Sequence, residues 1–428
     1  MITYKDIRDF FQPPPNRMVK SRALKITGLN DPVYVLCLIY AFSLPFLTIM
    51  PVFVVTLLGI LAIVGYKWKM VFGVWKKNKT AWCLLLLYVL YLLNLLYTNN
   101  TDETVVKLSV KFSYIMLPVF LAPAAMFNKQ QIYNLLKAFI AGTTLSIVVN
   151  ILISTGHFIE TNNISFFQYA RISAFHHPSY YSFYIGFAAM AILYLLRKKQ
   201  FTNKIQAYTI FFLHAGTVFL LSSKGGILAF LFALVCESLI RLLRKSSYIN
   251  IALFTGSLVL VFLIINYNTR MHKTISSVIE NKTNNIEQAD TRIQVWKTCT
   301  LLIPEHFWTG IGAGDTTDKL TEKYEALNYT IPAQKRLNCH NQFFQTQLSS
   351  GILASILLVL SFLFIIINPR VNFEGMIWIF LSMVFIHFLF EAMLEKQSGV
   401  QFIAFFLVLF SYQNQKFKNY DTFFPSQN

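Results

Sequence analysis

Residues 339–367 read CHNQFFQTQLSSGILASILLVLSFLFIII, so a polar segment ends here and an apolar segment begins. The apolar part, 343–367, exceeds the roughly 20 residues that an α-helix needs to cross the hydrocarbon core of a bilayer. It therefore predicts a membrane-spanning helix. The polar part closes the longest polar interval of the chain, Asn266–Gln342, and ends on His340-Asn341.

The composition extends this prediction to the whole chain. Of its 428 residues, 55% are hydrophobic and 13% are charged, whereas about a quarter of the residues of a soluble domain are charged. We therefore expect an all-α polytopic membrane protein. The apolar runs long enough to cross a bilayer predict about twelve spans, at 33–49, 51–66, 81–98, 106–127, 131–155, 179–196, 206–222, 225–243, 248–266, 343–367, 375–394 and 398–413.

The basic residues predict how these spans are oriented. The net charge of +18 is gathered in short clusters between apolar runs, which is typical of cytoplasmic loops and not of a nucleic-acid-binding surface. The short loops on the opposite side hold only Arg171, Lys224 and Lys396. Both termini are therefore predicted to be cytoplasmic, and the large polar loop is predicted to face the periplasm or the cell exterior.

This orientation divides the chain into five parts. The first thirty residues are polar and Pro-rich, without the apolar core and cleavage site of a secretory signal peptide, so the first span is expected to be a retained anchor. The predicted parts are a cytoplasmic tail, nine spans, a large helical periplasmic loop, three spans and a second cytoplasmic tail, at 1–32, 33–265, 266–342, 343–413 and 414–428.

Four residues of the predicted outer face are candidates for a binding site. They are Arg171 in RISAFHHPSYY, Lys224 in SSKGGIL, Arg292 in RIQVWKT, and His340 at the end of the large loop. A single Lys or Arg at a helix end commonly extends to the interface without further function. Several cations on one side, however, fit a phosphate-binding pocket, since Arg binds phosphate in a bidentate manner. An imidazole beside them is suited to general base catalysis.

Two further charged pairs have more than one interpretation. Lys107 and Lys111 share a helix face, and an ionisable residue inside a membrane is a functional candidate. We expect instead that both extend to the outer interface. Glu391 and Glu395 have the same spacing, and they either neutralise a basic site or pair with Lys396.

The predicted outer face also holds two histidines and two cysteines, whose side chains can bind metal or form a disulfide. His176 and His177 are adjacent in a turn, an arrangement that rarely directs two side chains to one ion, and no zinc-ligand spacing is present. We therefore expect no metal and no cofactor. Cys299 and Cys339 both lie in the large loop, where they form a disulfide if the loop is extracytoplasmic or remain two free thiols.

The chain resembles the O-antigen ligase and polymerase superfamily of bacterial envelope glycan assembly. His340-Asn341, nine residues and then Gly351 resemble the ligase signature of His, then Asn, Ser or Gln, nine residues and Gly. PEHFWTGIGAG (Pro304–Gly314) is similar to the Gly-x-Gly stretch of the family's large loop, and Arg292 with Trp296 occupies the preceding Arg-x-x-x-Trp position. RISAFHHPSYYSFY resembles a family segment that contains Arg and then His-Pro-Asn and that directly precedes a span. KGGIL at 224–228 resembles the family pattern Arg-x-x-x-Leu, with Lys in place of Arg.

The resemblance implies a metal-independent glycosyltransferase with a fold similar to the GT-C class, in the bacterial inner membrane and with its active site in the periplasm. Such proteins transfer a glycan from undecaprenyl pyrophosphate to an acceptor hydroxyl, which for a ligase is on lipid A–core. An O-antigen or exopolysaccharide polymerase uses the same donor and remains the alternative. The sugar, the linkage, the acceptor and the oligomeric state stay open.

On this hypothesis, Arg171 and Arg292 stabilise the charge on the leaving pyrophosphate, while Lys224, Asn341 and His177 help to bind the donor. His340 deprotonates the acceptor hydroxyl in an inverting displacement. A transporter and a non-catalytic scaffold are the alternatives to a glycosyltransferase. A transporter is expected to have broken helices or repeated halves with polar residues near the midplane, and a scaffold would use the large loop only for docking a partner.

Overall fold

The structure is a computed structural model that describes residues 31–47, 49–65, 68–244, 248, 251, 254–259, 291–367 and 374–413. Within these ranges the regular elements are helices and no strand occurs, which confirms the all-α class. The described residues do not include the second predicted tail, residues 1–30 of the first, most of the predicted span at 248–266, or residues 266–290 of the predicted large loop.

Most of the helices described before residue 245 begin close to the start of an apolar run. They are α1 (Pro32–Ser43), α2 (Ile49–Gly65), α3 (Trp68–Lys76), α4 (Lys79–Leu93), α5 (Thr101–Lys111), α6 (Ser113–Phe120), α7 (Lys129–Thr161), α8 (Pro178–Arg197), α9 (Lys204–Leu220) and α10 (Lys224–Arg244). An asparagine side chain caps the starts of α4, α7 and α9, where Asn78, Asn128 and Asn203 each accept from the backbone N–H three residues on. Such a cap satisfies a donor that the first helical turn leaves open.

The helices after residue 290 comprise three in the large loop and three apolar ones. The loop holds α11 (Thr291–Leu302), α12 (Thr316–Ala326) and α13 (Thr330–Gln334), and it is followed by α14 (Gln342–Ile366), α15 (Glu374–Phe390) and α16 (Gln397–Gln413). Among the described residues, five helices are long and apolar enough to cross a membrane: Lys79–Leu96, Lys129–Thr161, Pro178–Arg197, Lys224–Leu243 and Gln342–Ile366. The total of twelve spans and the GT-C likeness stay predictions.

The predicted span at 106–127 is wrong as a single helix. The structure has α5, then α6, and then a 3₁₀ segment at Ala122–Met126. The helix ends before Pro123, a residue that has no N–H to continue the helical hydrogen bonds. The polar half of the segment, α5, is separated from the apolar half, α6, by a turn at Phe112.

Helix α8 is the centre of the protein. About 83% of its apolar window is buried, against 39–44% for the other four long helices. Its Phe187 packs with Phe402 and Phe406 of α16 and with Phe380 of α15. The starts of α8, α10 and α14 and the end of α15 carry the residues of the candidate site.

Candidate functional site

The end of the large loop brings His340 to a carboxylate. The Nδ1 atom of His340 lies 3.1 Å from Oε1 of Glu391, the residue that follows α15. Asn341 begins α14, and its side-chain oxygen accepts from the backbone N–H groups of Phe343 and Phe344. Its amide nitrogen donates to the carbonyl of Leu389 at 3.4 Å. Asn341 thus serves as a helix cap that ties the start of α14 to the end of α15.

The partners of His340 decide which ring nitrogen faces a substrate. An ionised carboxylate only accepts hydrogen bonds, so Nδ1 of His340 carries the hydrogen and donates it to Glu391. This leaves Nε2 as the acceptor. The imidazole is also partly open, because 23% of the His340 side chain is exposed while Glu391 is 10% exposed. The contact with the Glu391 carboxylate thus sets the tautomer of a partly exposed imidazole.

The charges around Glu391 come from three further segments of the chain. Burial raises the pKa of Glu391, but the hydrogen bond from His340 and the charges of His340, Arg292 and His177 together outweigh it, so the pKa lies below its ordinary value. Burial lowers the pKa of His177, and the charges of His340, Arg292 and Lys396 lower it further against the opposing effect of Glu391. The structure therefore brings Arg292, His177 and His340 together around Glu391.

Helix α11 and the start of α10 both pack against Phe390, the residue that precedes Glu391. The ring of Trp296, one turn after Arg292, lies 6.1 Å from the ring of Phe390. A Cβ atom added to Gly225, the second residue of α10, would lie 3.2 Å from the Cβ of Phe390. Lys224 thus begins its helix beside the residue that precedes Glu391.

The paired glycines of the SSKGGIL segment allow a close approach of two helices. A Cβ atom at Gly226 would lie 2.0 Å from Oγ of Ser182 in α8. Only glycine, which has no Cβ atom, lets α10 start this close to α8. This packing places Lys224 of α10 on the same side of the protein as His177, which caps the start of α8.

Arg171 lies in the loop between α7 and α8 and contacts that loop. Its guanidinium hydrogen-bonds to Oγ of Ser165 and lies 5.2 Å from the centroid of the Phe166 ring. These contacts do not join it to His340 or Glu391. The neighbouring His176 is buried, with ring nitrogens near Ser398 and the carbonyl of Leu44. Burial lowers the pKa of His176 to about 4.

Across the ranges that the structure describes, no three His, Cys, Asp or Glu side chains group as metal ligands would.

The expectation that Lys107 and Lys111 extend to the interface is wrong. Lys111 is fully buried and donates to Oε1 of Glu395 at 2.9 Å and to the carbonyl of Leu394 at 3.1 Å. Lys107 lies 3.4 Å from the other oxygen of Glu395. A buried carboxylate attracts both ammonium groups, since a charge in the interior needs a partner. The ion cluster holds the turn that also carries Glu391.

The glycine of the His340 signature breaks helix α14. Gly351 has φ +75°, and a Cβ atom there would lie 2.0 Å from the carbonyl oxygen of Trp308. The break leaves the carbonyls of Leu348 and Ser349 open, and they accept from Ile311 and Gly312. The segment PEHFWTGIGAG therefore docks into α14 at the position where the signature ends.

An apolar cavity of about 560 Å³ lies between α10, α14 and α15. One end is at Phe343 and Phe388, close in sequence to Asn341 and Glu391 respectively. The cavity continues along the three helices and is lined by aliphatic and aromatic side chains that include Phe232, Leu239, Phe362 and Trp378. Its apolar lining suits a hydrocarbon chain.

These features agree with a comparison with known families. A family model described as O-Antigen ligase matches residues 209–359. The predicted relationship to the O-antigen ligase superfamily is confirmed. The matched region includes Lys224, Arg292, His340, Asn341 and Gly351. No curated protein matches the chain.

The ligase match does not reach every residue of the cluster. His177 and Arg171 precede it, and Glu391 follows it. The sequence offers Glu391 a basic site or Lys396 as its partner but does not identify His340. Its pairing with His340 was missed because the two are joined only by the packing of α14 against α15. The spacing of residues along the chain carries no signal for that contact.

Proposed function

We propose that the protein is a ligase-type glycosyltransferase that moves a glycan from undecaprenyl pyrophosphate to an acceptor hydroxyl, such as one on lipid A–core. The reaction takes place on the periplasmic face of the inner membrane and inverts the anomeric centre. The hydrogen bond between His340 and Glu391 carries the proposal, because it supplies an oriented base at the edge of a membrane. The ligase family match supports the same class of reaction.

His340 acts as the base in this proposal. Nε2 of His340 takes the proton of the acceptor hydroxyl as its oxygen attacks the anomeric carbon. The bond from that carbon to the pyrophosphate oxygen breaks, and the oxygen keeps the electron pair. Glu391 stabilises the imidazolium that forms, as a buried carboxylate beside a catalytic His does in other enzymes.

Arg292 and Lys224 stabilise the leaving pyrophosphate. Both lie near the Glu391 cluster, Arg292 through its charge and Lys224 through the packing of Gly225 against Phe390. Fixed cations aimed at developing charge are among the largest contributions to catalysis, and this pair allows the reaction to proceed without a divalent ion. Arg171 and His177 bind the donor from the loop before α8. Asn341 positions His340 by capping α14.

The apolar cavity between α10, α14 and α15 holds part of the polyprenyl chain of the donor. The support is its position, because its end at Phe343 and Phe388 lies beside the residues that flank His340 and Glu391. A lipid chain in this cavity would place the attached pyrophosphate at the start of α10 and α14. Hydrophobic burial of the chain also supplies binding energy far from the reacting centre.

The test is transfer by purified protein in proteoliposomes that contain a synthetic lipid-pyrophosphate glycan. His340→Ala is expected to lower the rate by about 10²–10⁴, the usual cost of losing a positioned base. Glu322→Gln, which changes an exposed acid of α12 that pairs with Lys319, is the control and should leave the rate unchanged. Wild-type transfer by His340→Ala at normal abundance would disprove the role of the base.

Donor binding tests the cationic part of the proposal separately. Arg171→Ala together with Arg292→Ala is expected to weaken binding of the lipid-pyrophosphate donor, because both cations are proposed to contact it. Binding that is indifferent to the double change would disprove the phosphate site. The envelope glycan of a deletion strain then distinguishes a ligase from a polymerase. Polymer that accumulates on the carrier lipid indicates a ligase, and single capped repeats indicate a polymerase.

A further inference from the structure

Two cysteines of the large loop meet in its hydrophobic core. Cys299 of α11 and Cys339, the residue before His340, are both fully buried. They belong to one cluster with Val295, Tyr324 and Leu348, which is separate from the main core between the membrane helices. The cluster packs α11 and α12 against the start of α14.

The two thiols lie near each other inside this cluster. Burial raises the pKa of Cys339, and the nearby thiol of Cys299 raises it further; both cysteines are free in the structure. The backbone N–H of Cys339 donates to the side-chain oxygen of Gln345 at 3.1 Å, which fixes its position relative to α14. The other cysteines of the chain lie in α1, α4 and α10, at Cys37, Cys83 and Cys236.

We propose that Cys299 and Cys339 form a disulfide in the mature protein. The inference rests on the periplasmic placement of the loop in the proposed function, since disulfides form and persist in oxidising compartments. Both side chains are buried in the same small cluster, and a disulfide requires the two Cα atoms to lie within roughly 7 Å of each other. The bond would join the helix that carries Arg292 and Trp296 to the residue before His340, so it would hold two halves of the candidate site together.

The oxidant is the disulfide of a thiol oxidoreductase of the same compartment. One cysteine thiolate of the loop attacks that disulfide and forms a mixed disulfide, and the second thiolate then displaces the oxidoreductase. The two loop cysteines lose two electrons in total and their two protons, while the oxidoreductase leaves as a dithiol. Burial raises the pKa of Cys339, so the thiolate is scarce in the folded loop and the exchange is expected during folding.

The test maps the thiols of the full-length protein. Cells are acidified to stop exchange, the protein is denatured, free thiols are alkylated, and the digest is analysed by mass spectrometry without reductant. The expected result is one cross-linked pair of peptides that contain Cys299 and Cys339, lighter by two hydrogen atoms than the two reduced peptides. The cysteines of the membrane helices should be alkylated and serve as internal controls.

Alkylation of both loop cysteines would overturn the proposal, as would a bond from either one to another cysteine. Cys83→Ser is the matched control and should leave the cross-link intact, whereas Cys299→Ser should make Cys339 available for alkylation. A chain nicked by trypsin after the exposed Arg336 gives a second readout. Its two fragments should stay joined until a reductant is added, and separation without reductant contradicts the bond.

The outcome is independent of the ligase assay. Free thiols in a protein that transfers glycan would refute the disulfide alone. A cross-linked protein that fails to transfer glycan would refute the proposed function alone.

Discussion

Replacing Glu391 by glutamine tests whether the carboxylate acts through His340. The change keeps the size of the side chain and removes the charge that lies 3.1 Å from Nδ1 of the imidazole. When His340 takes up the proton of the acceptor, the neutral amide stabilises the imidazolium less than the carboxylate does. The substitution should therefore lower the rate of the chemical step and have little effect on binding of the donor.

The magnitude follows from the buried position of the pair. Glu391 has only 10% of its side chain exposed, so solvent screens this interaction weakly. A hydrogen bond to a charged group contributes about 1.5–3 kcal/mol. Since about 1.4 kcal/mol corresponds to a tenfold change in rate, Glu391→Gln is expected to lower kcat roughly 10- to 100-fold.

The assay is the initial rate of glycan transfer in proteoliposomes at saturating acceptor. Glu322→Gln, which changes an exposed acid of α12 that pairs with Lys319, is the matched control and should keep the wild-type kcat. A double-mutant cycle sharpens the test. In a His340→Ala background the Glu391 change should add less than about 0.5 kcal/mol to the barrier, whereas full additivity, or wild-type kcat in the single variant, would refute the pairing.

Three further predictions concern stability. Gly351→Ala should destabilise the protein by at least about 1–3 kcal/mol, because the residue has a positive φ and a Cβ atom there would meet Trp308. Thermal unfolding measures this loss. Gly216→Ala, at a position where nothing lies within 4 Å, is the control and should not destabilise the protein. Lys111→Met should cost about 3 kcal/mol by leaving Glu395 with one buried partner fewer, and adding Glu395→Leu should recover most of that loss; no recovery would contradict the ion cluster. Burial raises the pKa of Glu395, but its Lys partners outweigh this and lower the pKa to about 2, so the stability it contributes is present above about pH 4.5 and is lost as the pH falls through about 2. Lys111→Met should therefore raise the acid-unfolding midpoint followed by tryptophan fluorescence, and an unchanged midpoint would count against this.

The helices were well predicted because apolar runs report them locally. Helices α2, α4, α7–α10 and α14–α16 each begin within two residues of a predicted span. The span at 106–127 failed because the chain turns at Phe112 and because Pro123 has no N–H to continue the helical hydrogen bonds. Its lysines were assigned to the interface because their partner, Glu395, lies near the other end of the chain.

The candidate site was predicted in part. Sequence placed Arg292 and His340 on one face, and the structure brings both to Glu391. The loop contacts of Arg171 and the capping role of Asn341 were not evident from the sequence. These depend on how loops fold back on helix ends, which no periodicity records.

By itself, the sequence determined that the chain is a helical membrane protein that resembles the O-antigen ligase superfamily, because apolar length and a signature of His, Asn and Gly are read along the chain. Only the tertiary structure decided what each polar residue contacts. It paired His340 with Glu391 and Lys111 with Glu395, and it docked the large loop at Gly351. The physical reason is that a buried charge or an open carbonyl must find a partner, and the packing of helices determines which partner is near.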